Sequence, residues 1–509
     1  MSGENTRRYV GTVVSEVPSR REFWFQLDES ADVRVGQYVV VKHPKEDVFC
    51  LGRVVEGMAE DPTFEPRGSI MGLIKRERRV DVVRTGEESF LFQVEVLGYH
   101  DEERGPVPSD FPIKPGFPVF LAESEDVENF KGSSEFAIEI FEDVYAKIPI
   151  GLDLNWLTRA HAFVGGATRS GKTTFLVSLM LKALEDGREN GVVPRFIVFD
   201  RYGEYVPPLR KVGNSCAIFD YRELLDPKML PPRSLALMFG LSPKRKAGEC
   251  LGRTLAEILA EGEEPVDEVD IADRATRGVS SPHQKRVMDE IIRALKAHEE
   301  TWRNLIKLAR EERPDVTEII RDKAIVCIDL SGDTNITLQQ ALVASILDGM
   351  VDSAIATKGD EFSCVNIIEE AAFYAPEQGG PRYGSPEQTL DVLVRCLSQA
   401  GGYNIGFILC SQRPAYVSKN VLSQCNTFII FKMLAEADHR QVAAAMGLPL
   451  RRISAWVSNL MPHEALLFGL ASPLPFPVLA RTRIREYPRK ATKSPVEVLK
   501  KMTIGDVPS

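Results

Sequence analysis

Residues Gly166-Ala167-Thr168-Arg169-Ser170-Gly171-Lys172-Thr173 form a complete G-x-x-x-x-G-K-T string, and it constrains the fold more tightly than any other part of the chain. Ala162-Phe163-Val164 precedes it and Phe175-Leu176-Val177-Ser178-Leu179-Met180 follows, so it reads as the turn between a buried strand and a helix. Glycines at 166 and 171 let the backbone curl until several N–H groups converge at the positive end of the helix dipole. A nest of that kind binds phosphates. Lys172 adds a point charge for the β- and γ-phosphates, and the Thr173 hydroxyl can ligate Mg2+. The candidate nucleotide-binding set is Gly166, Ala167, Thr168, Arg169, Ser170, Gly171, Lys172, Thr173 and Thr174, with ATP and Mg2+ as the expected ligands.

From His161 onward, apolar runs alternate with helical stretches: Phe196–Phe199, Ala324–Ile328, Val365–Ile368, Gly406–Leu409 and Thr427–Ile430. That alternation predicts an α/β fold, a P-loop core built on a largely parallel sheet. A charged segment, about 241–322, breaks the pattern. Its Met288, Ile291, Ile292, Leu295, Trp302, Leu305 and Ile306 fall mostly at three- and four-residue spacing, which predicts a helical insertion whose apolar stripe packs internally. Before residue 121 the runs are short and β-like: Tyr9–Val14, Glu22–Leu27, Gln37–Val41 and Phe90–Val96. Those lengths suit a small N-terminal β-barrel. The expected organisation is a barrel domain over 1–125, an ATPase domain over 126–480, and a basic tail over 481–509.

A P-loop needs carboxylates at the end of a neighbouring strand. Val365-Asn366-Ile367-Ile368-Glu369-Glu370 supplies two. Glu369 is the candidate for the Mg2+ shell beside Thr173, and Glu370 the candidate for orienting or deprotonating the attacking water. Gln412, in Ser411-Gln412-Arg413-Pro414, is a polar group that could reach the γ-phosphate.

Charge narrows the partner less than it first suggests. The chain has 63 basic and 73 acidic residues, a net of −10, which taken whole argues against nucleic acid. The distribution is uneven, however. Residues 1–150 hold 18 basic against 29 acidic side chains, and residues 395–509 hold 15 against 6. The basic run Lys75-Arg76-Glu77-Arg78-Arg79 lies in the acidic half and reads as a solvated turn or subunit contact. Eight cysteines with no C-x-x-C pair read as buried reduced thiols. No stretch reads as a membrane span, since Ala465–Ala480 is broken by Pro473, Pro475 and Pro477. A cytoplasmic protein is expected.

With these motifs in order on one chain, the sequence resembles the HerA family of hexameric DNA translocases, in the HerA/FtsK branch of RecA-like ATPases. The resemblance runs from Tyr9 to about Glu486. Gly36-Gln37-Tyr38-Val39-Val40-Val41 sits where the family's HAS barrel has a similar strand, and Gly151–Asn155 looks like its run into the P-loop. Phe199-Asp200-Arg201-Tyr202-Gly203-Glu204-Tyr205 is similar to its D-x-x-G-E-Y element. Ser411–Pro414 and Leu422–Thr427 are similar to its S-Q-R-P and L-S-Q-x-x-N elements. The resemblance implies a RecA-like core, a homo-hexamer, double-stranded DNA in a central pore, and a NurA-like nuclease partner in DNA end resection. It implies Gln412 as γ-phosphate sensor, with Asp200 and Glu204 supporting the nucleotide site. Arg382 and Tyr383, in the Gly-rich loop after Glu370, are candidate DNA contacts.

Three departures stand out. Family members carry R-E-G-R-K before the strand leading to S-Q-R-P, where this chain reads Ser398-Gln399-Ala400-Gly401-Gly402-Tyr403. Position 169 is Arg in place of the usual Gly, and position 372 is Ala where His is frequent. The missing arginines imply a relocated arginine finger or a slow ATPase. Arg395 is the nearest substitute, with Arg159 and Arg413 as others. A motor for DNA transfer or phage defence, and a low-turnover ATP-binding ring scaffold, are the alternative readings.

Overall fold

The structure is a computed structural model that describes residues 7–14, 21–60, 89–332, 336–384, 386–485 and 487. The Lys75–Arg79 run and the basic tail after Tyr487 lie outside the described residues. The chain divides into two compact units. The first runs to Leu152 and takes in Leu466–Thr482; the second comprises Asp153–Ala465 and the segment from Arg483. Sequence reading drew the first boundary near 125 and the last near 480. The difference arises because the strands over Ala137–Asp143 and Pro149–Asp153 fall largely in the barrel unit, and the first of them pairs with a strand from much later in the chain, Val478–Thr482.

In the first unit, β1 (Tyr9–Val14), β2 (Glu22–Leu27), β3 (Tyr38–Lys42), β4 (Phe49–Glu60), β5 (Ser89–Asp101), β6 (Gly105–Val107) and β7 (Pro118–Leu121) form one sheet. Its order is β2-β1-β7-β3-β4-β5-β6, and a further β2–β5 pairing closes six of the strands into a barrel. Closure leaves those six strands without a free edge. Alternate residues point inward, so Val10, Phe23, Phe25, Val39, Val41, Cys50, Val54, Val94 and Val119 share one core. Beside the barrel lie β8 (Ala137–Asp143) and β9 (Pro149–Asp153), with β18 pairing antiparallel to β8. Tyr38 donates its hydroxyl hydrogen to buried Asp143 (2.9 Å), tying barrel to flanking strands within this unit.

The second unit is built on β10 (His161–Gly165), β11 (Phe196–Asp200), β12 (Cys216–Asp220), β13 (Ile325–Asp329), β14 (Cys364–Ile368), β15 (Ile405–Ser411) and β16 (Cys425–Phe431). They lie in the order β12-β13-β11-β14-β15-β10-β16, and every pairing between them is parallel. The chain then continues through β17 (Glu464–Gly469) and β18 (Val478–Thr482). Strands β10, β11, β14 and β15 are buried along their whole length, which is why they read as unbroken apolar runs. The fold is α/β with a P-loop core, as expected. Strand β12 is a further member that the apolar runs from Phe196 to Ile430 did not include: its Cys216-Ala217-Ile218-Phe219 is apolar but short, and all five residues are half-buried at the sheet edge.

Between β12 and β13 runs a string of helices that includes Lys246–Glu261, Glu268–Thr276, Ser281–Ala297 and Glu299–Ala309. This is the expected insertion, although helices begin at Tyr221 rather than near 241. Ile291, Leu295, Trp302, Leu305 and Ile306 are buried, as the stripe predicted. The eight cysteines are free thiols, all buried but half-buried Cys216. Among the described residues no helix is long and apolar enough to cross a membrane.

One close approach positions the site. The short helix Leu154–Arg159 rests directly on β15 because Gly406 has no side chain: a Cβ there would lie 1.8 Å from the Leu157 carbonyl oxygen. Backbone cannot give way as a flexible side chain would. We expect Gly406→Ala to destabilise the protein by about 3 kcal/mol in a urea titration. Gly402→Ala, where an added Cβ meets nothing within 4 Å, should be close to neutral.

Candidate active site

Four adjacent parallel strands, β11, β14, β15 and β10, end together. Registers Gly165↔Ser411, Ile368↔Leu409 and Phe199↔Ile368 align their carboxyl ends. Crevices beyond the carboxyl ends of such strands are where open α/β sheets bind ligands. Here each strand delivers one expected element: β10 the P-loop, β15 Gln412, β14 Glu369 and Glu370, and β11 Asp200 with Glu204.

The P-loop backbone requires its glycines. Gly166 and Gly171 have φ of 156° and 122°, and a Cβ at Gly171 would lie 2.8 Å from the His463 Nδ1. Arg169 also has positive φ, 63°, so the departure from glycine at this position leaves the left-handed backbone in place. A non-glycine residue there costs on the order of 1 kcal/mol. The helix Lys172–Asn190 starts at once, and the buried Lys172 donates to the carbonyls of Gly166 (2.7 Å) and Ala167 (3.1 Å). Thr168 donates its hydroxyl hydrogen to Gln412 Oε1 (2.7 Å), joining P-loop to β15. Thr173 donates likewise to Glu204 Oε2 (2.9 Å).

The carboxylates are strained electrostatically. Glu370, at φ 53°, accepts from the Ser411 hydroxyl (2.8 Å) and, more weakly, from the Gln412 N–H (3.4 Å). Burial raises its pKa despite those bonds. Burial, with Asp200 and Glu204 nearby, holds the Glu369 carboxyl well above its ordinary value. One Glu369 oxygen is buried with no hydrogen-bond partner among the described residues. Asp200 accepts from the N–H groups of Tyr202, Glu204 and Tyr205, yet burial pushes its pKa up to about 6. Burial lowers the Lys172 pKa, with Glu370 opposing that shift.

Hard oxygen donors with an orphaned buried carboxylate oxygen fit Mg2+. Among the described residues no three His, Cys, Asp or Glu side chains form a self-sufficient metal cage. Thr173 and Glu369 are the candidates for an ion that takes the rest of its shell from phosphate and water.

A cavity of about 610 Å³ collects most of these parts, with Glu370 and Asp200 set behind its wall rather than lining it. Thr168, Arg169, Gly171, Lys172, Thr173, Thr174, Glu204, Glu369 and Gln412 line it. Three lining residues escaped sequence reading: Tyr202, His463 and Tyr487. Tyr202 stood inside the D-x-x-G-E-Y element, whereas His463 and Tyr487 belong to no motif and nothing local signals them.

The candidate arginine fingers lie elsewhere, and none of the three lines this cavity. Arg395 is paired with Asp348 and, at 2.9 Å, with Asp352. Arg413 bonds buried Asp438 (2.9 Å) and lies over the Tyr416 ring; Arg159 donates to Asn404 Oδ1 (3.2 Å). The candidate DNA contacts are anchored as well. Arg382 pairs with Glu387 (3.2 Å), while Tyr383 packs on Phe373 with ring centroids 4.7 Å apart, its carbonyl accepting from Gln340 (2.8 Å). The loop is thus held at Tyr383, although that residue is 46% exposed.

Fold and site together define a P-loop ATPase built on seven adjacent parallel strands. Residues 142–350 match the family model described as the central domain of helicase HerA. The DNA double-strand break repair helicase HerA of Saccharolobus solfataricus is 21% identical over 87% of this chain and 87% of its own length. The protein of the same name from Pyrococcus furiosus is 22% identical over 92% and 91%. Among solved structures, the bacterial conjugative coupling protein TrwB covers 73% of this chain and 94% of its own at 10% identity, with a TM-score of 0.50. That last likeness is one of fold. The central part of the chain thus matches the HerA family model and most of its length is similar to HerA helicases, and it is an ATP hydrolase of the helicase class.

The raised carboxyl pKa values carry a sign that can be tested. A carboxyl whose folded pKa is raised favours the folded state fully below its ordinary pKa, and that preference is lost as pH rises through the raised value. For Asp200 the window runs from 3.8 to about 6. For Glu369 it extends upward from the ordinary carboxyl range. Glu369→Gln should therefore raise the thermal midpoint of the nucleotide-free protein at pH 8 and give no gain below pH 4, read by differential scanning fluorimetry.

Proposed function

We propose that the chain is a ring-forming, ATP-driven translocase on double-stranded DNA, of HerA type, working with a nuclease in DNA end resection. One observation carries the reading. Gln412 is hydrogen-bonded to the P-loop through Thr168 and to Glu370 through its own N–H. A residue so placed couples the phosphate end of the nucleotide to the catalytic carboxylate. Likeness along most of the chain to double-strand break repair helicases supports DNA as the track.

The residues divide the chemistry. P-loop N–H groups and Lys172 hold the β- and γ-phosphates, and Thr173 and Glu369 hold Mg2+, which neutralises developing phosphate charge when bound. Glu370 orients the attacking water and accepts its proton; a raised pKa suits it to that task. Gln412 contacts the γ-phosphate. Asp200 braces the Tyr202–Tyr205 turn through three backbone N–H groups, and so sets where Glu204 meets Thr173. An arginine for the transferring phosphoryl group comes from the neighbouring subunit, since the candidates in this chain stand away from its own cavity. Arg395 is the first choice, with Arg159 and Arg413 behind it.

A second reading has one observation in its favour. Arg395 is already neutralised by Asp348 and Asp352, which would suit a slow ATPase that serves as a nucleotide-gated scaffold.

We expect ATP turnover to rise on adding double-stranded DNA of any sequence, in a coupled phosphate-release assay. Lys172→Ala should abolish it, and Glu370→Gln should lower it by about 100-fold or more while nucleotide still binds. Arg395→Ala should silence wild-type subunits when mixed with them. Turnover indifferent to both DNA and Glu370→Gln would sink the motor reading in favour of the scaffold.

A further inference from the structure

Phosphate chemistry accounts for most of the cavity wall, but not for three aromatic rings in it, of which Tyr202 comes with the Asp200 turn while His463 and Tyr487 belong to no motif. His463 sits on the P-loop itself. Its backbone N–H donates to the Ser170 carbonyl (3.0 Å), and it holds a left-handed backbone, φ 68°, against Gly171. Tyr487 arrives from the last described stretch of the chain. That stretch is tied to the helix that begins at Lys172: the Arg485 N–H donates to Ser178 Oγ (3.1 Å), and its guanidinium pairs with Glu185 (2.5 Å).

Tyr487 also lines a neighbouring cavity of about 780 Å³ beside Leu181, Leu184 and Arg188, further along the same helix. It therefore stands where the phosphate cavity runs out along the helix axis. Ser178, to which this segment is tied, is about 9 Å along the axis from Lys172, a distance comparable to the reach from β-phosphate to base in an extended nucleotide. Gln412, bonded to Thr168, occupies the γ-phosphate flank, so His463 and Tyr487 are left for the other end of the ligand.

We propose that His463 and Tyr487 form the subsite for the aromatic base of the nucleoside triphosphate, the rings stacking on the base. Stacking tolerates any base with a π-face. It would let the P-loop discriminate a nucleotide from a bare polyphosphate without hydrogen-bond readout of the base. The inference rests on the reading of this cavity as the nucleotide site.

Calorimetric titration of the full chain with Mg-ATP and with Mg-tripolyphosphate, a base-free probe, tests it. Tyr487→Ala should weaken ATP about tenfold and leave tripolyphosphate unchanged. Tyr487→Phe should bind ATP like wild type, and His463→Ala should repeat the split seen with Tyr487→Ala. Equal losses for both ligands, or no loss for either, would overturn the base subsite while leaving the nucleotide site standing. Wild-type protein that binds neither ligand would overturn the nucleotide site, and the base subsite with it.

Discussion

The register between β10 and β15 is the constraint on which the rest of the site depends. Because Gly165 pairs with Ser411, the turn that leaves β10 and the turn that leaves β15 emerge side by side. Thr168 can then reach Gln412, and Ser411 can reach Glu370 on the strand beyond. A slip of one residue would turn every side chain of the strand to the opposite face. Both strands are buried on both faces, and the close seat of helix Leu154–Arg159 on Gly406 adds a steric lock, so the register is strongly specified.

On that frame the chain concentrates charge that a sheet of this kind would otherwise exclude. Asp200, Glu369 and Glu370 are all buried, and burial raises each carboxyl above its ordinary pKa. Lys172 and Arg201 are nearby cations, the lysine itself weakened as a cation by burial. An assembly of acids with an orphaned oxygen is costly in the folded protein alone and becomes favourable when a cation and its phosphates enter. The positive φ at Glu370 and Arg169 belongs to the same pattern, with backbone strain gathered where the ligand is handled.

The two ends of that handling differ in how easily they could be read from sequence. Phosphate chemistry is local: the glycines, Lys172 and Thr173 lie within eight residues, and Glu369 and Glu370 end an apolar strand. Their place was legible because neighbouring residues do the work. Asp200 and Glu204 were legible only through resemblance, since an acid after a strand is common. His463 and Tyr487 were not legible at all. Each reaches the cavity because distant segments pack against the P-loop or its helix, through Ser170 in one case and Ser178 in the other. The same holds for the unit boundary, where β18 returns across more than three hundred residues to pair with β8.

Periodicity and the P-loop string alone determined an α/β sheet, a phosphate nest and a candidate acid pair at a strand end, because helix dipoles, glycine φ and strand alternation act over a few residues. Strand order, the placement of Arg395 between Asp348 and Asp352, and the aromatic wall were decided only by tertiary packing. Those depend on which buried surfaces meet, and no local pattern records the partner of a surface.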